Sequence, residues 1–141
     1  MKLSARNVLA GTVSKVVKGA VNSEVDLKLE GGENLVAIVT NSSVDSLGLK
    51  EGKKAYAIIK ASWVMIGKDL HNAKISTRNV LCGTVEKVQE GAVNAEVALK
   101  LDGGTTLTAV ITNASVHSLA LKQSEHACAA IKASSVILAV D

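Results

Sequence analysis

Proline and phenylalanine are absent, and the aromatic residues amount to one tryptophan, Trp63, and one tyrosine, Tyr56. Modules that bind single-stranded nucleic acid stack bases on aromatic platforms, so this chain lacks the material for one. The formal charge is only +3, too slight for the clustered Lys/Arg surface that a nucleic-acid partner requires. No stretch approaches the roughly 18 consecutive apolar residues of a membrane-spanning helix. No apolar run follows Lys2 as it would in a signal peptide. The expectation is a cytoplasmic protein with neither a membrane nor a nucleic-acid partner. Only two cysteines occur, Cys82 and Cys128, and no Cys/His grouping has the sequence spacing of a zinc site. Both cysteines therefore read as small buried apolar residues in a reducing compartment.

What is present is a chain written twice. Ser4-Ala5-Arg6-Asn7-Val8-Leu9 returns as Ser76-Thr77-Arg78-Asn79-Val80-Leu81, and Lys60-Ala61-Ser62 returns as Lys132-Ala133-Ser134. The offset is 72 positions in both cases (4 to 76, 60 to 132). Roughly 60% of aligned positions are identical, which marks an internal repeat. The domain expectation is therefore 1–69 and 70–141. Units of about 70 residues have marginal cores, and with so few cysteines the remaining support is association.

Val, Ala, Leu and Ile dominate and suit sheets. Ser23 to Leu29 alternates strictly between polar and apolar, as a half-buried strand does. Val8 to Val16 alternates more loosely, with Gly11 as a candidate bulge. Glu30-Gly31-Gly32-Glu33 is a hairpin signal, and Leu35 to Val39 reads as a third strand. Thr40-Asn41-Ser42-Ser43 offers helix N-caps, and Val44, Leu47 and Leu49 fit the apolar side of one short helix ending near Gly48. Ala55 to Ile59 and Val64 to Ile66 complete five strands, and Gly67 to Lys74 forms a polar connection. The expected fold class is all-β: two tandem OB-like five-stranded barrels, each with one short helix, with a β-sandwich as the alternative.

Catalytic constellations are missing. His71, His117 and His126 have no histidine counterparts in the first copy, where linker, Asp45 and Lys54 stand instead. No nucleophile elbow or phosphate loop occurs. Glu24 and Glu96 are matched but sit in alternating strands, where they read as solvent-facing. The shared polar residues are instead donors. Arg6 supplies a fork of N–H groups and Lys60 an ammonium. Ser4, Thr40, Ser43 and Ser62 supply hydroxyls, and Ala61 is small enough to let a ligand approach the backbone. Ser76, Arg78, Thr112, Ser115, Lys132, Ala133 and Ser134 repeat the set. An acceptor-only oxyanion needs such charge-assisted donors to offset its desolvation. Each motif also has a plain structural reading: an Arg-Asn pair as a salt bridge or turn, Lys-Ala-Ser as a chain corner, Thr-Asn-x-Ser as a helix cap.

Taken in order, Ser-Ala-Arg-Asn-Val-Leu-x-Gly-x-Val, Gly-Ala-Val-Asn-x-Glu-Val, Thr-Asn-x-Ser-Val and Ile-Lys-Ala-Ser-x-Val resemble the Mop domain of the molbindins, over the whole of each copy. The resemblance implies a tandem-domain, cytoplasmic protein that binds, stores and buffers molybdate or tungstate, with no catalytic cofactor and no directly ligated cation. It implies a homo-oligomer, a trimer, with ligand enclosed between units. It carries ligand contacts onto Ser4, Arg6, Asn7, Thr40, Ser43, Lys60, Ala61 and Ser62, and onto Ser76, Arg78, Asn79, Thr112, Ser115, Lys132, Ala133 and Ser134. The Ser-Ala-Arg-Asn segment and the Lys-Ala-Ser corner would come from neighbouring units. The turns Gly19-Ala20-Val21-Asn22 and Gly91-Ala92-Val93-Asn94 would line a second type of site on a symmetry axis. Thr77 in place of Ala5, and Ser135 opposite Trp63, depart from the pattern and suggest inequivalent sites. An oxyanion-sensing module acting on a separate transporter or transcription partner is the alternative.

Overall fold

Each repeat lays down three long antiparallel strands, a short helix and two further strands, and the computed structural model describes all residues 1–141. The first contains β1 (Asn7–Lys18), β2 (Asn22–Leu29), β3 (Asn34–Thr40), α1 (Asn41–Leu47), β4 (Lys54–Ile59) and β5 (Met65–Gly67). The second contains β6 (Asn79–Glu90), β7 (Asn94–Leu101), β8 (Thr106–Thr112), α2 (Asn113–Ser118), β9 (His126–Ile131) and β10 (Ile137–Ala139). The strands make two five-stranded OB-like sheets, and the all-β expectation holds. No helix is long and apolar enough to cross a membrane.

The fifth strands are exchanged. Sheet order is β10-β4-β1-β2-β3 in one unit and β5-β9-β6-β7-β8 in the other. Met65 to Gly67 pairs with Ala130 to Cys128, and Ile137 to Ala139 pairs with Ile58 to Tyr56. A sequence boundary near residue 69 thus separates the repeats but not the sheets. The buried apolar residues of both repeats, Leu27, Leu35 and Ile59 with Leu99, Leu107 and Ile131, belong to one continuous core. This answers the small-unit problem, because the two marginal cores are merged.

Two buried asparagines fasten the units. Asn7 is 1% exposed and Asn79 fully buried. The Asn79 amide donates to the Val36 carbonyl at 2.7 Å and accepts from the Val36 N–H at 2.8 Å. Asn7 does the same to Thr108, both bonds at 2.8 Å, and also donates to Ile59 O at 3.2 Å. Val36 and Thr108 are repeat equivalents, so each first strand docks on the third strand of the other unit through an amide that mimics a peptide.

Three local expectations are corrected. The bulge of β1 lies between Val13 and Lys15, not at Gly11. Gly11 instead permits close packing, since a Cβ there would meet Lys28 O at 2.6 Å. The cysteines are not unpaired. Cys82 and Cys128 oppose each other across β6 and β9 and form a disulfide with Cα atoms 3.9 Å apart. Glu24 and Glu96 are paired across the units rather than simply solvated.

The helix ends show what the second copy has lost. Gly48 caps α1 in the left-handed region at φ 63°. Its equivalent Ala120 keeps that conformation at φ 49° without the freedom of glycine, and a Cβ at Gly48 would touch nothing within 4 Å. The strain is therefore backbone strain alone. Ala120→Gly is expected to raise stability by about 1 kcal/mol, read as a higher thermal midpoint. Asn7→Ala or Asn79→Ala leaves a buried N–H and C=O without partners and is expected to cost about 2 kcal/mol, read by denaturant unfolding.

Candidate functional site

The Lys-Ala-Ser corner is a single tight turn. The Trp63 N–H bonds Lys60 O at 2.9 Å and the Val64 N–H bonds Ala61 O at 3.3 Å. This turn redirects the chain from β4 into the exchanged strand β5, and it packs on β8 of the other unit. Lys132 to Ser135 does the same against β3. The corner is thus both the hinge of the exchange and a wall of a cavity.

Two related cavities result. The first, about 470 Å³, is lined by Ser4, Ala5, Arg6, Lys60, Ala61, Ser62 and Trp63, with Val110 and Ile137 from the other repeat. The second, about 280 Å³, is lined by Ser76, Thr77, Arg78, Lys132, Ala133 and Ser134, with Glu24 and Ile38 from the other repeat. The two donor motifs expected to arrive from neighbouring units therefore meet within one repeat, because the segment leading into β1 runs beside the corner that leaves β4. The opposite repeat supplies the far wall.

Each arginine is held from across the units. Arg6 pairs with Glu96 and Arg78 with Glu24. The hydrogen bond and charge of Arg6 hold the Glu96 carboxyl below the ordinary glutamate range, and Glu96 raises the Arg6 guanidinium above its usual value. Lys60 and Lys132 make no ion pair, and Lys60 instead stands 5.9 Å from the centre of the Trp63 ring. The pairs leave guanidinium N–H groups for a further acceptor, since the fork carries five.

The remaining expected ligands lie elsewhere. Asn7 and Asn79 are buried and spent on backbone, as described, and do not line either cavity. Thr40 and Ser43 form an N-cap: the Ser43 N–H donates to Thr40 Oγ1 at 3.1 Å, and the two hydroxyls bond at 2.9 Å. Thr112 and Ser115 repeat this at 3.0 and 2.8 Å. The caps sit beside the Gly-Ala-Val-Asn turns instead. The Asn41 side chain donates to Gly19 O and its N–H to Val21 O, both at 2.9 Å, and Asn113 does the same with Gly91 and Val93. In the first copy the Ser23 hydroxyl also donates to Asn41 Oδ1. Ala95 replaces that serine, and Asn113 Oδ1 is left buried without a donor.

The copies also differ at the cavities. Thr77 donates its hydroxyl to Ile131 O at 2.6 Å and accepts from the Asn79 N–H at 3.3 Å, bonds that Ala5 cannot make. Ser135 replaces Trp63, so Lys132 has no ring beside it. One grouping was invisible to spacing arguments: His71, Cys82 and Cys128 bring their ligand atoms within 4.8 Å of one another.

The ion pair titrates with a defined sign. Because the folded Glu96 pKa is lowered, the stabilisation is complete above the ordinary glutamate value of about 4.3 and is lost as pH falls through the folded value. Wild type and Glu96→Gln are expected to differ in thermal midpoint at neutral pH and to converge in acid, measured by unfolding scans across that range.

Comparison with known proteins agrees with this architecture. The TOBE domain model matches twice, over residues 3–66 and 75–138. The crystal structure of ModG, described as a cytoplasmic molybdate-binding protein with molybdate bound, superposes with a TM-score of 0.96 at 51% identity and covers 100% of both chains. Molybdenum-pterin-binding protein MopA of Rhodobacter capsulatus is 43% identical over 99% of this chain and 53% of its own length. Molybdenum transport protein ModE of Azotobacter vinelandii is 41% identical over 99% of this chain and 52% of its own length. The chain thus spans about half the length of these curated relatives.

Proposed function

The chain belongs to the TOBE domain family, and we propose that it binds molybdate or tungstate, without transforming it, for cytoplasmic storage and homeostasis. The observation that carries this is the twice-built cavity in which an arginine, an unpaired lysine and two serines converge. Ser4, Arg6, Lys60, Ala61 and Ser62, with Ser76, Arg78, Lys132, Ala133 and Ser134, are the proposed ligand residues. A tetrahedral dianion accepts hydrogen bonds and donates none. Guanidinium, ammonium, hydroxyl and backbone N–H groups are its natural partners. Glu24, the one carboxylate lining either cavity, is held by Arg78, which supports binding rather than catalysis.

The proposed assembly is a homo-oligomer, a trimer. Trp63, Met65 and Ile137 are 42%, 51% and 50% exposed, and burying such side chains favours association. Val21 and Val93, 71% and 70% exposed at the turn tips, support the turns Gly19 to Asn22 and Gly91 to Asn94 as a second type of site where copies meet on an axis. Thr40, Ser43, Thr112 and Ser115 belong to that surface. The two cavities, unequal in volume and in their aromatic wall, are proposed to bind with unequal affinity.

A second reading follows from the coverage of longer relatives named as ModE transport proteins or transcriptional regulators. In it the chain senses the oxyanion for a separate partner, and recovery of a stoichiometric partner from cell extract would favour it. Titration calorimetry with molybdate, tungstate and sulfate tests the leading reading. Heat with the first two and little with sulfate is expected, and equal affinity for sulfate would overturn it. Arg6→Ala with Arg78→Ala is expected to weaken binding by about 1.5–3 kcal/mol per lost bond, with the fold checked by circular dichroism.

A further inference from the structure

The second repeat departs from the first at several positions scattered in sequence but gathered in space. Cys82 replaces Ala10, Cys128 replaces Tyr56 and His126 replaces Lys54. Cys82 opposes Cys128 in the β6–β9 register, and His126 opposes Thr84 two residues along. The connection between the repeats adds a third ligand type. Lys68 clips it to the second unit through Glu125 at 2.8 Å and the Ala120 carbonyl at 3.2 Å. The following turn, Leu70–Asn72, then packs on β6 and β9. This delivers His71 to the cysteines, with all three ligand atoms within 4.8 Å of one another. The His126 ring stands edge-on to His71 at 6.1 Å between centroids. At the matching place the first unit has a wide cavity of about 770 Å³ bordered by Ala10, Lys54 and Tyr56, with no sulfur or imidazole.

We propose that His71, Cys82 and Cys128 form a redox-gated site for a soft divalent cation of the zinc class. The reduced thiols hold the cation and the disulfide excludes it. Two thiolates and one imidazole are a soft donor set, and they leave one position of a tetrahedron for water. Burial fits this division of labour. Cys128 is fully buried and Cys82 half-buried, while His71 is exposed.

Opening the site consumes a dithiol reductant. One of its thiolates attacks a sulfur of the Cys82–Cys128 bond, and its second thiol resolves the mixed disulfide. Two electrons pass to the protein, leaving two cysteine thiols and an oxidised reductant. The cation then displaces two thiol protons. On the return path a small-molecule disulfide accepts the two electrons, the Cys82–Cys128 bond re-forms and the cation leaves.

The full chain, reduced and then freed of reductant, is titrated with cadmium while thiolate-to-cadmium absorption is followed in the ultraviolet. One cadmium per chain is expected in the reduced form and none in the disulfide form, with zinc competing. Cys82→Ser is expected to abolish the absorption. His71→Ala, an exposed change that leaves the fold intact by circular dichroism, is expected to weaken binding roughly tenfold or more, since even an outer-shell partner is worth about 10–100-fold. A reduced chain without thiolate–cadmium absorption, or unaltered affinity in His71→Ala, would overturn the site.

Discussion

Everything in this molecule depends on an amide that is buried and satisfied only by the other repeat. Asn7 and Asn79 each imitate a peptide group and close two backbone hydrogen bonds across the unit boundary, to Thr108 and to Val36. A side-chain amide left alone in that environment would be strongly unfavourable. Each first strand pairs with strands of its own repeat on both sides, but its buried amide is satisfied only when the third strand of the other unit is in position. The exchanged strands β5 and β10 follow the same logic, and so does the shared core.

That constraint also sets the site. The residue before each asparagine is the arginine at the cavity. Fixing Asn7 fixes the exit of Arg6, which reaches Glu96 on the other unit. Fixing Asn79 aims Arg78 at Glu24. The corners that redirect the chain into the exchanged strands bring Lys60 and Lys132 to the same places. Architecture and the proposed ligand chemistry thus use adjacent residues of one motif: the asparagine builds the joint, and the arginine at its rim remains accessible. A repeated Arg-Asn pair consequently has a structural reason to recur beside the proposed ligand one.

The structure also separates residues that motif order alone had grouped. Thr40 and Ser43 recur as faithfully as Arg6 and Lys60, yet their hydroxyls cap a helix and sit beside the Gly19 to Asn22 turn rather than at the cavity. Recurrence measures how much a position is needed and is silent on why. The cysteines err in the other direction. Their absence from the first copy argued for an inert role, but β6 and β9 set them opposite each other. A one-sided residue pair is a difference between the copies, and differences are where a tandem repeat can acquire a property that its first copy lacks.

Period-two alternation from Ser23 to Leu29, the glycine hairpin, the Thr40 cap and the 72-residue offset were enough to read five strands and a short helix per repeat, because these features are local and obey fixed geometric periods. The donor set was legible for a similar reason: charge and hydroxyl chemistry belong to the residue wherever it lies. The strand exchange, the Asn7 and Asn79 clamps, the Arg–Glu pairs and the Cys82–Cys128–His71 grouping were decided only by tertiary structure. Each joins residues tens of positions apart. The cysteines meet through the register of β6 and β9, but whether the clamps and the Arg–Glu pairs form depends on which sheet edge the fifth strand finds, and hydrophobic alternation carries no information about that choice. With two near-identical edges available, the pattern of either repeat fits both. The choice fell to contacts that exist only once both units are folded together.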